Sequence, residues 1–394
     1  MPPYLAPDIY VEEVSGGARP IEAVGTSTAG FVGRAPNPRA HRGEAVAINN
    51  WAQFLREFAG ENPASTPLSH AVFGFFQNGG ARCYVVNVGD DAIAGDEGQR
   101  TGLALLAEVD EVAIVAAPGY TDAGSYDALL THCERLQDRV AILDAPETVP
   151  SIRALTEVAA VEAGGGEAGE GLRPRASEGG YGAFYFPWIT VRDPLAPNSI
   201  VNVAPSGHIA GIWARTDAGR GVHKAPANEV VRGALNVTHR LTRAEQGELN
   251  PAGVNCIRFF GQEGILVWGA RTVAKTSEWR YLNVRRLFNM IKESIATSTR
   301  WIVFEPNDYT LWKSIRRDIS AFLTGLWRDG ALMGRTPEEA FFVKCDEETN
   351  PPESIDEGKV VALIGIAPVK PAEFIIFRIS QYQGGVEVET EGGA

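Results

Sequence analysis

Nowhere in the 394 residues is there a run of about 18 consecutive apolar side chains, so the sequence offers no membrane-spanning helix. The first residues, MPPYLAPDIYVEEV, lack the basic start and apolar stretch of a signal peptide, and the expectation is a soluble protein made in the cytoplasm, with no membrane insertion. Cysteine is scarce: Cys83, Cys133, Cys256 and Cys345 lie 50, 123 and 89 residues apart. That spacing provides no CxxC pair for zinc or redox chemistry and reads as buried free thiols. The six histidines never form HxxxH or HExxH, so a metal site would have to be assembled from distant segments. The glycine-rich stretch from Gly261 to Gly269 fits neither GxxxxGK[ST] nor GxGxxG and reads as a β-turn. Ser206-Gly207-His208 is not a GxSxG elbow and, after Pro205, reads as a turn. Nucleophile–base pairs, metal ligands and phosphate loops are all missing, and neither an enzyme nor a cofactor is expected.

What is present is an ordinary globular composition, 44% hydrophobic and 22% charged, long enough for two or three domains. The net charge is −13, from 36 Lys and Arg against 49 Asp and Glu, which disfavours nucleic acid as a partner. The charge is segregated. Residues 271 to 328 hold 11 basic against 5 acidic side chains, a net of +6, whereas residues 331 to 394 hold 5 against 12, a net of −7. Such segregation reads either as contacts between copies or with an acidic partner, or as a solvated surface.

Between the ends the pattern is mixed α and β. Strands are expected over residues 28–32, 83–88, 112–116, 140–143, 185–191, 257–260 and 265–268, and helices over 51–58, 68–76, 126–136, 241–249, 281–298 and 309–327. Ala163 to Gly171 has no side chains able to form a core and reads as a mobile surface loop. On the last helix, Trp312, Ile315, Ile319, Phe322, Leu323 and Leu326 fall on one stripe at 100° per residue. Lys313, Arg316, Arg317, Ser320 and Thr324 fall on another. The apolar stripe reads as core, and the polar one is either solvated or a docking face.

Both termini carry isolated strand signals: Ile9, Tyr10 and Val11 within residues 9–14, then Glu373 to Ile379 with Phe374, Ile375, Ile376 and Phe377, and finally Val386 and Val388. A lone strand has unpaired backbone groups, so arms of this kind add to their own sheet or to the edge of another subunit. Gly16-Gly17 and Gly384-Gly385 adjoin these strands and would serve as hinges.

The segments PSGHIAG (205–211), GVHKAPANE (221–229), LNPAGVNCIRFFGQEGILVWGARTVA (249–274), WRYLNVRRLFNMIKESI (279–295), WIVFEPNDYTLW (301–312) and GIAPVKPAEFIIFRI (365–379) resemble the contractile tail sheath proteins of phages and related injection particles. APDIYVEEV with Phe31-Val32-Gly33, and AVFGFFQNGGARCYVVNV (71–88), look like the start of the same family. The resemblance implies a compact inner α/β domain with an inserted outer α/β domain and extended N- and C-terminal β-strand arms. On this chain the parts would be an arm at 1–25, inner-domain residues 26–60, an outer domain at 61–227, a tube-facing inner domain at 228–380 and an arm at 381–394.

By the same resemblance the function is structural: a sheath subunit that polymerises around an inner tube in an extended state and contracts to drive it through an envelope. A non-contracting sheath-like or tail-completion protein is the alternative. The implied partners are further copies of the chain in a helical stack of six-fold rings, the inner tube protein, baseplate and terminator or cap proteins, and other sheath paralogues. Assembly would take place in a bacterial cytoplasm, and the product would be a virion tail or a released particle. In the family a helix of the C-terminal domain grips the tube through polar and charged contacts, which assigns tube contact to Lys313, Arg316, Arg317, Ser320 and Thr324. Arg285, Arg286 and Lys292 are the second candidates. Alternatively, these cations pair with the acidic C-terminal region of a neighbouring subunit.

Overall fold

The computed structural model describes residues 20–96, 98–159, 171–382 and 385–389. Packing divides the chain into a larger unit, residues 26–287 with 369–394, and a smaller one, residues 1–25 with 288–368. The larger unit contains strands β1 (Ala29–Gly33), β2 (Ala45–Ile48), β3 (Cys83–Asn87), β4 (Ile114–Ala116), β5 (Val140–Asp144), β6 (Gly182–Phe186), β7 (Ile189–Arg192), β8 (Ile200–Val203), β9 (Glu229–Val230), β10 (Ala234–Val237), β11 (Val254–Phe260) and β12 (Gly264–Trp268). Its helices are α1 (Trp51–Phe58), α2 (Pro67–Gln77), α3 (Ala123–Leu136), α4 (Ser206–Arg220) and α5 (Arg243–Leu249). A nine-stranded sheet runs in the order β2-β3-β1-β4-β5-β6-β11-β12-β9, and β10-β7-β8 form a separate antiparallel sheet. The large sheet draws strands from the stretches 26–60, 61–227 and 228–287 alike.

The central strands β3, β1, β4, β5, β6 and β11 are parallel, and antiparallel pairing is confined to β2, β12 and β9. A parallel sheet is covered on both faces, so its strands read as continuous apolar runs: AGFVG, VAILD and GAFYF are buried at every position. Alternate residues face two cores. Phe31, Val85, Ile142 and Tyr185 join one cluster with side chains of α1, α2 and α4. Val32, Val86, Leu143 and Phe184 join the other with α3 and α5.

Helix α4 lies against α2 at backbone distance. A Cβ on Gly207 would come within 2.2 Å of the Ala71 Cα, and one on Gly211 within 2.4 Å of the Phe75 carbonyl oxygen. The turn expected at Pro205-Ser206-Gly207 is therefore the first turn of this helix. Its start is held by a residue 62 positions earlier: the buried Asp144 carboxylate accepts from the Ser206 N–H at 2.8 Å and the Ser206 Oγ at 2.6 Å. The single strand expected over 185–191 is two strands, β6 and β7, because Pro187 has no N–H for a ladder.

In the smaller unit, α6 (Leu282–Ser298) contributes its residues from Phe288 onward, followed by α7 (Tyr309–Arg328) and the antiparallel pair β13 (Phe341–Lys344) and β14 (Leu363–Ile366). The Asp308 side chain caps α7 by accepting from the Leu311 N–H at 2.8 Å. On α7, Trp312, Ile315, Ile319 and Leu323 are buried as the period requires. Leu311 and Asp318 are buried with them, while Phe322 and Leu326 are only half-buried. The stretch before residue 25 is tied to α6, with the Val24 N–H donating to Ser294 Oγ at 3.0 Å and the Glu22 N–H to Ser298 Oγ at 3.2 Å.

After Val369 the chain returns to the larger unit and stays irregular through Phe377, so the strand expected from Glu373 begins only at β15 (Arg378–Tyr382), which pairs antiparallel with β16 (Gly385–Glu389). Val388 lies opposite Ile379 and Val386 opposite Gln381; Gly385 opens β16. The strand signal at Ile9, Tyr10 and Val11, the pair Gly16-Gly17, Gly384, and the glycine-rich loop but for its last residue, Gly171, lie outside the described residues.

The larger unit buries His208, whose ring occupies the space a Cβ on Gly74 would need. Among the described residues neither ring nitrogen has a hydrogen-bond partner, and His70, which acts on it electrostatically, faces Asp193 at 3.7 Å. Burial, with His70 adding to it, pushes the His208 imidazole down to about 4. A folded-state value below the unfolded 6.5 means that folding releases a proton, so stability falls as pH drops from about 6.5 to 4. Asp144, pushed up to about 6 by burial against hydrogen bonds from Ser206 and Gly119, acts with the opposite sign in that window. His208→Phe keeps an aromatic ring against Gly74 and removes the titration. The variant is expected to lose about 3 kcal/mol less stability than wild type between pH 7 and pH 4, measured by urea unfolding across pH.

Candidate functional site

Among the described residues no three His, Cys, Asp or Glu side chains are grouped to hold a metal ion. All four cysteines are buried and without disulfides, and burial pushes each thiol up, away from the reactive thiolate. Ser65, His70 and Asp193 meet beside a cavity, but Ser65 Oγ donates to the Asp193 carboxylate and not to the imidazole, so the three do not form a serine–histidine pair oriented by an acid. The features that stand out chemically are surfaces.

The first is the polar side of α7. Lys313 and Arg317 are exposed, and Arg316, Ser320 and Thr324 are half-buried, on a stripe separate from Ile315, Ile319 and Leu323, with Arg316 at the edge nearest Leu323. Arg317 donates from Nε to Asp318 at 2.9 Å, where the carboxylate is buried and the arginine side chain is 56% exposed. Thr324 Oγ1 turns back to the Ser320 carbonyl at 2.7 Å, leaving that end of the stripe the least available for an outside partner. The helical period thus places all five residues on one face, with the charge concentrated at Lys313, Arg316 and Arg317.

The second candidates are corrected by burial. Arg286 is 3% exposed and donates to both Asp217 oxygens, at 2.9 and 2.5 Å, and to the Thr26 carbonyl at 3.0 Å. Arg285 is also buried, with its guanidinium over the Trp279 and Tyr181 rings. Both belong to the interior and cannot form a docking face; only Lys292 of that trio is exposed. Long-range pairing with Asp217 carries no local sequence signal, which is why the basic block looks like a surface when read in order.

The third surface is the C-terminal segment. Glu373 receives Arg271 Nε at 2.8 Å and a second guanidinium nitrogen at 2.5 Å, Asn250 Nδ2 at 3.1 Å and the Tyr281 hydroxyl at 3.4 Å. Burial acts to raise this carboxyl, but the hydrogen bonds from Arg271 and Asn250 outweigh it and hold the group below the usual carboxylate range. Immediately after this anchor, Phe374, Ile375, Ile376 and Phe377 are 72%, 73%, 78% and 68% exposed, four large apolar side chains in a row facing solvent. Irregular backbone there follows from Pro371 and, among the described residues, from the lack of a neighbouring strand. In the smaller unit, the two-stranded sheet β13–β14 also has exposed apolar positions at Phe342 and Leu363.

Two family models match the chain: the phage tail sheath protein central domain over residues 100–273 and the phage tail sheath C-terminal domain over 274–381. The tail sheath protein of Vibrio phage KVP40 is 32% identical over 174 residues, 43% of this chain; the match spans only 25% of that protein's own length. Among solved structures, the helical sheath of the anti-feeding prophage in its contracted state is 32% identical, with a TM-score of 0.76 over 96% of this chain and 100% of the other. The PVC sheath complex of an extracellular contractile injection system, also in the contracted state, is 29% identical, with a TM-score of 0.77 over 97% and 99%.

A carboxylate depressed in this way holds its segment above about pH 4 and lets go as pH falls through the folded-state value. Glu373→Gln is therefore expected to loosen residues 369–377 at neutral pH, seen as at least tenfold faster amide exchange there with the core strands unchanged; equal exchange in both proteins would remove the anchor role.

Proposed function

The chain belongs to the contractile tail sheath family, and from that premise we propose that it polymerises around an inner tube in an extended lattice and shortens to drive that tube through a target envelope. The observation that carries this reading is the likeness, over almost the whole chain, to two sheaths in the contracted state. Among the described residues no helix is long and apolar enough to cross a membrane. Assembly takes place in the bacterial cytoplasm, and the finished particle is a virion tail or is released.

Subunits join through their ends. An isolated two-stranded sheet is marginal in water, and an open edge accepts a further strand, so β13–β14 and the β15–β16 hairpin are suited to exchange of strands between neighbours. The donated segments are Ile9, Tyr10 and Val11 at one end and Phe374 to Phe377 with Val386 and Val388 at the other. Gly16-Gly17 and Gly384-Gly385 let whole domains rotate while backbone pairing is retained. Rings are six-fold and stack helically between a baseplate and a terminator, with sheath paralogues as further neighbours.

The tube is held by Lys313, Arg316 and Arg317, with Ser320 and Thr324 beside them. Exposed ion pairs are worth about 0 to 1 kcal/mol each, so a ring of them is broken in sequence while the whole tail stays bound. Contraction draws its energy from newly buried apolar surface, about 7.5 kcal/mol per subunit for roughly 300 Å² at 25 cal/mol per Å².

Negative-stain microscopy of the chain expressed with its tube protein tests the reading: extended and contracted polymers of two diameters are expected. Reversal of Lys313, Arg316 and Arg317 to Glu abolishes tube-bound extended particles while leaving tube-free polymers; normal particles would reject the tube assignment. Deleting residues 384–394 leaves a folded monomer that sediments as a single species at concentrations where wild type forms polymers.

A further inference from the structure

Among the described residues of the smaller unit, Phe304 is the most exposed large apolar side chain. Phe304 is 102% exposed and sits in the left-handed region at φ 72°, a conformation that a bulky residue rarely adopts. The loop that presents it is firmly tied. The Glu305 N–H donates to the Ile302 carbonyl at 3.0 Å, Asn307 Nδ2 to the Lys359 carbonyl at 2.9 Å, and Trp312 Nε1 to Asn307 Oδ1 at 2.8 Å. Val303 at 62% and Tyr309 at 62% exposure flank the tip, and Glu305 is exposed next to it. A strained, pre-organised aromatic with a carboxylate at its side forms a rigid knob, and it lies outside the cationic stripe of α7.

The larger unit offers the complement. A cleft of about 760 Å³ lies between the β12 end and the strap Val369–Ile375, walled by Ala225, Ala227, Trp268, Phe374 and Ile375. Arg220, Arg243 and Lys370 are exposed on its rim. Its one carboxylate among the described residues, Glu373, is already held by Arg271, so the cleft presents apolar walls under positive charge.

We propose that Phe304 of one copy inserts into this cleft of a second copy, with Glu305 meeting the rim cations, Arg243 foremost. Charge complementarity selects this occupant: an apolar tip with an acidic neighbour fits apolar walls with a basic rim. Knob and cleft are different surfaces, so the contact is head-to-tail and repeats from copy to copy, the arrangement a helical polymer needs. An apolar centre sealed by a charged rim resists dissociation, unlike the solvated cations assigned to the tube, and so suits a contact between subunits. The inference rests on the sheath reading and adds a named contact to it.

The test mixes two full-length variants, Glu305→Cys and Arg243→Cys, assembles them together and oxidises the polymer; the four native cysteines are buried and do not compete. A disulfide-linked dimer is expected on a non-reducing gel, and it should vanish when Phe304→Ala is added to the first variant. Phe304→Ala by itself, with native circular dichroism, should raise the concentration at half-assembly at least tenfold, and Glu305→Arg should do the same and be rescued by Arg243→Glu. Polymers that form without the cross-link, or with Glu305→Cys linked to the tube protein, overturn the contact and leave the sheath reading standing. Cross-linking of Arg243→Cys to a cysteine placed at Glu12 or Glu13 instead would assign the cleft to the N-terminal segment and overturn the contact likewise. A wild type that forms no polymer at all overturns both.

Discussion

A mostly parallel sheet cannot leave either face in water, and this requirement governs the larger unit. Six adjacent parallel strands carry apolar side chains on both sides, so helices must lie over both faces. On one face the cover is made by α2 and α4, and the pair fits only because Gly207 and Gly211 remove the side chains that would hold the backbones apart. Once α4 is set in this way, its first turn falls on the Asp144 carboxylate at the end of β5, which satisfies the helix start from inside the core.

Two further buried pairs follow the same logic of distant partners. Arg286 and Asp217 neutralise one another with the Thr26 carbonyl as a third contact, and Arg271 and Glu373 tie the returning chain to the unit that contains β11 and β12. Removing one partner of such a buried pair leaves an uncompensated charge, commonly at a cost of about 3 to 5 kcal/mol. These residues are therefore scaffold, and the basic block from Arg271 to Arg328 splits into an interior part and an exposed part, the latter including Lys275, Lys292 and the cations of α7.

Surfaces without cover are concentrated in the smaller unit and in the segment after Glu373. Among the described residues, Phe304, Phe342, Leu363 and the run Phe374 to Phe377 have no apolar neighbours sufficient to hide them. Large exposed apolar groups of this kind mark contact with other chains. Under the proposed sheath assembly, the uncovered side chains are the half of an interface that a single subunit displays.

The local period of the sequence was enough to define α1 from Trp51 to Phe58, α7 within one residue of its end, the parallel strands as apolar runs, and the face of α7 on which Lys313, Arg316 and Arg317 stand, because these depend on residues a few positions apart. The motifs carried the family. Tertiary structure alone decided that Pro205-Ser206-Gly207 begins a helix, that Tyr185 to Val191 is broken at Pro187, that Arg285 and Arg286 are interior and that the strand after Glu373 starts late. Apart from the break at Pro187, which follows from that residue's own missing N–H, these turn on partners far away in sequence, such as Asp144 for Ser206, Asp217 for Arg286 or Arg271 for Glu373. Periodicity reports which side of an element is apolar; it carries no record of which charge across the fold will meet a given side chain, and burial is settled by that meeting.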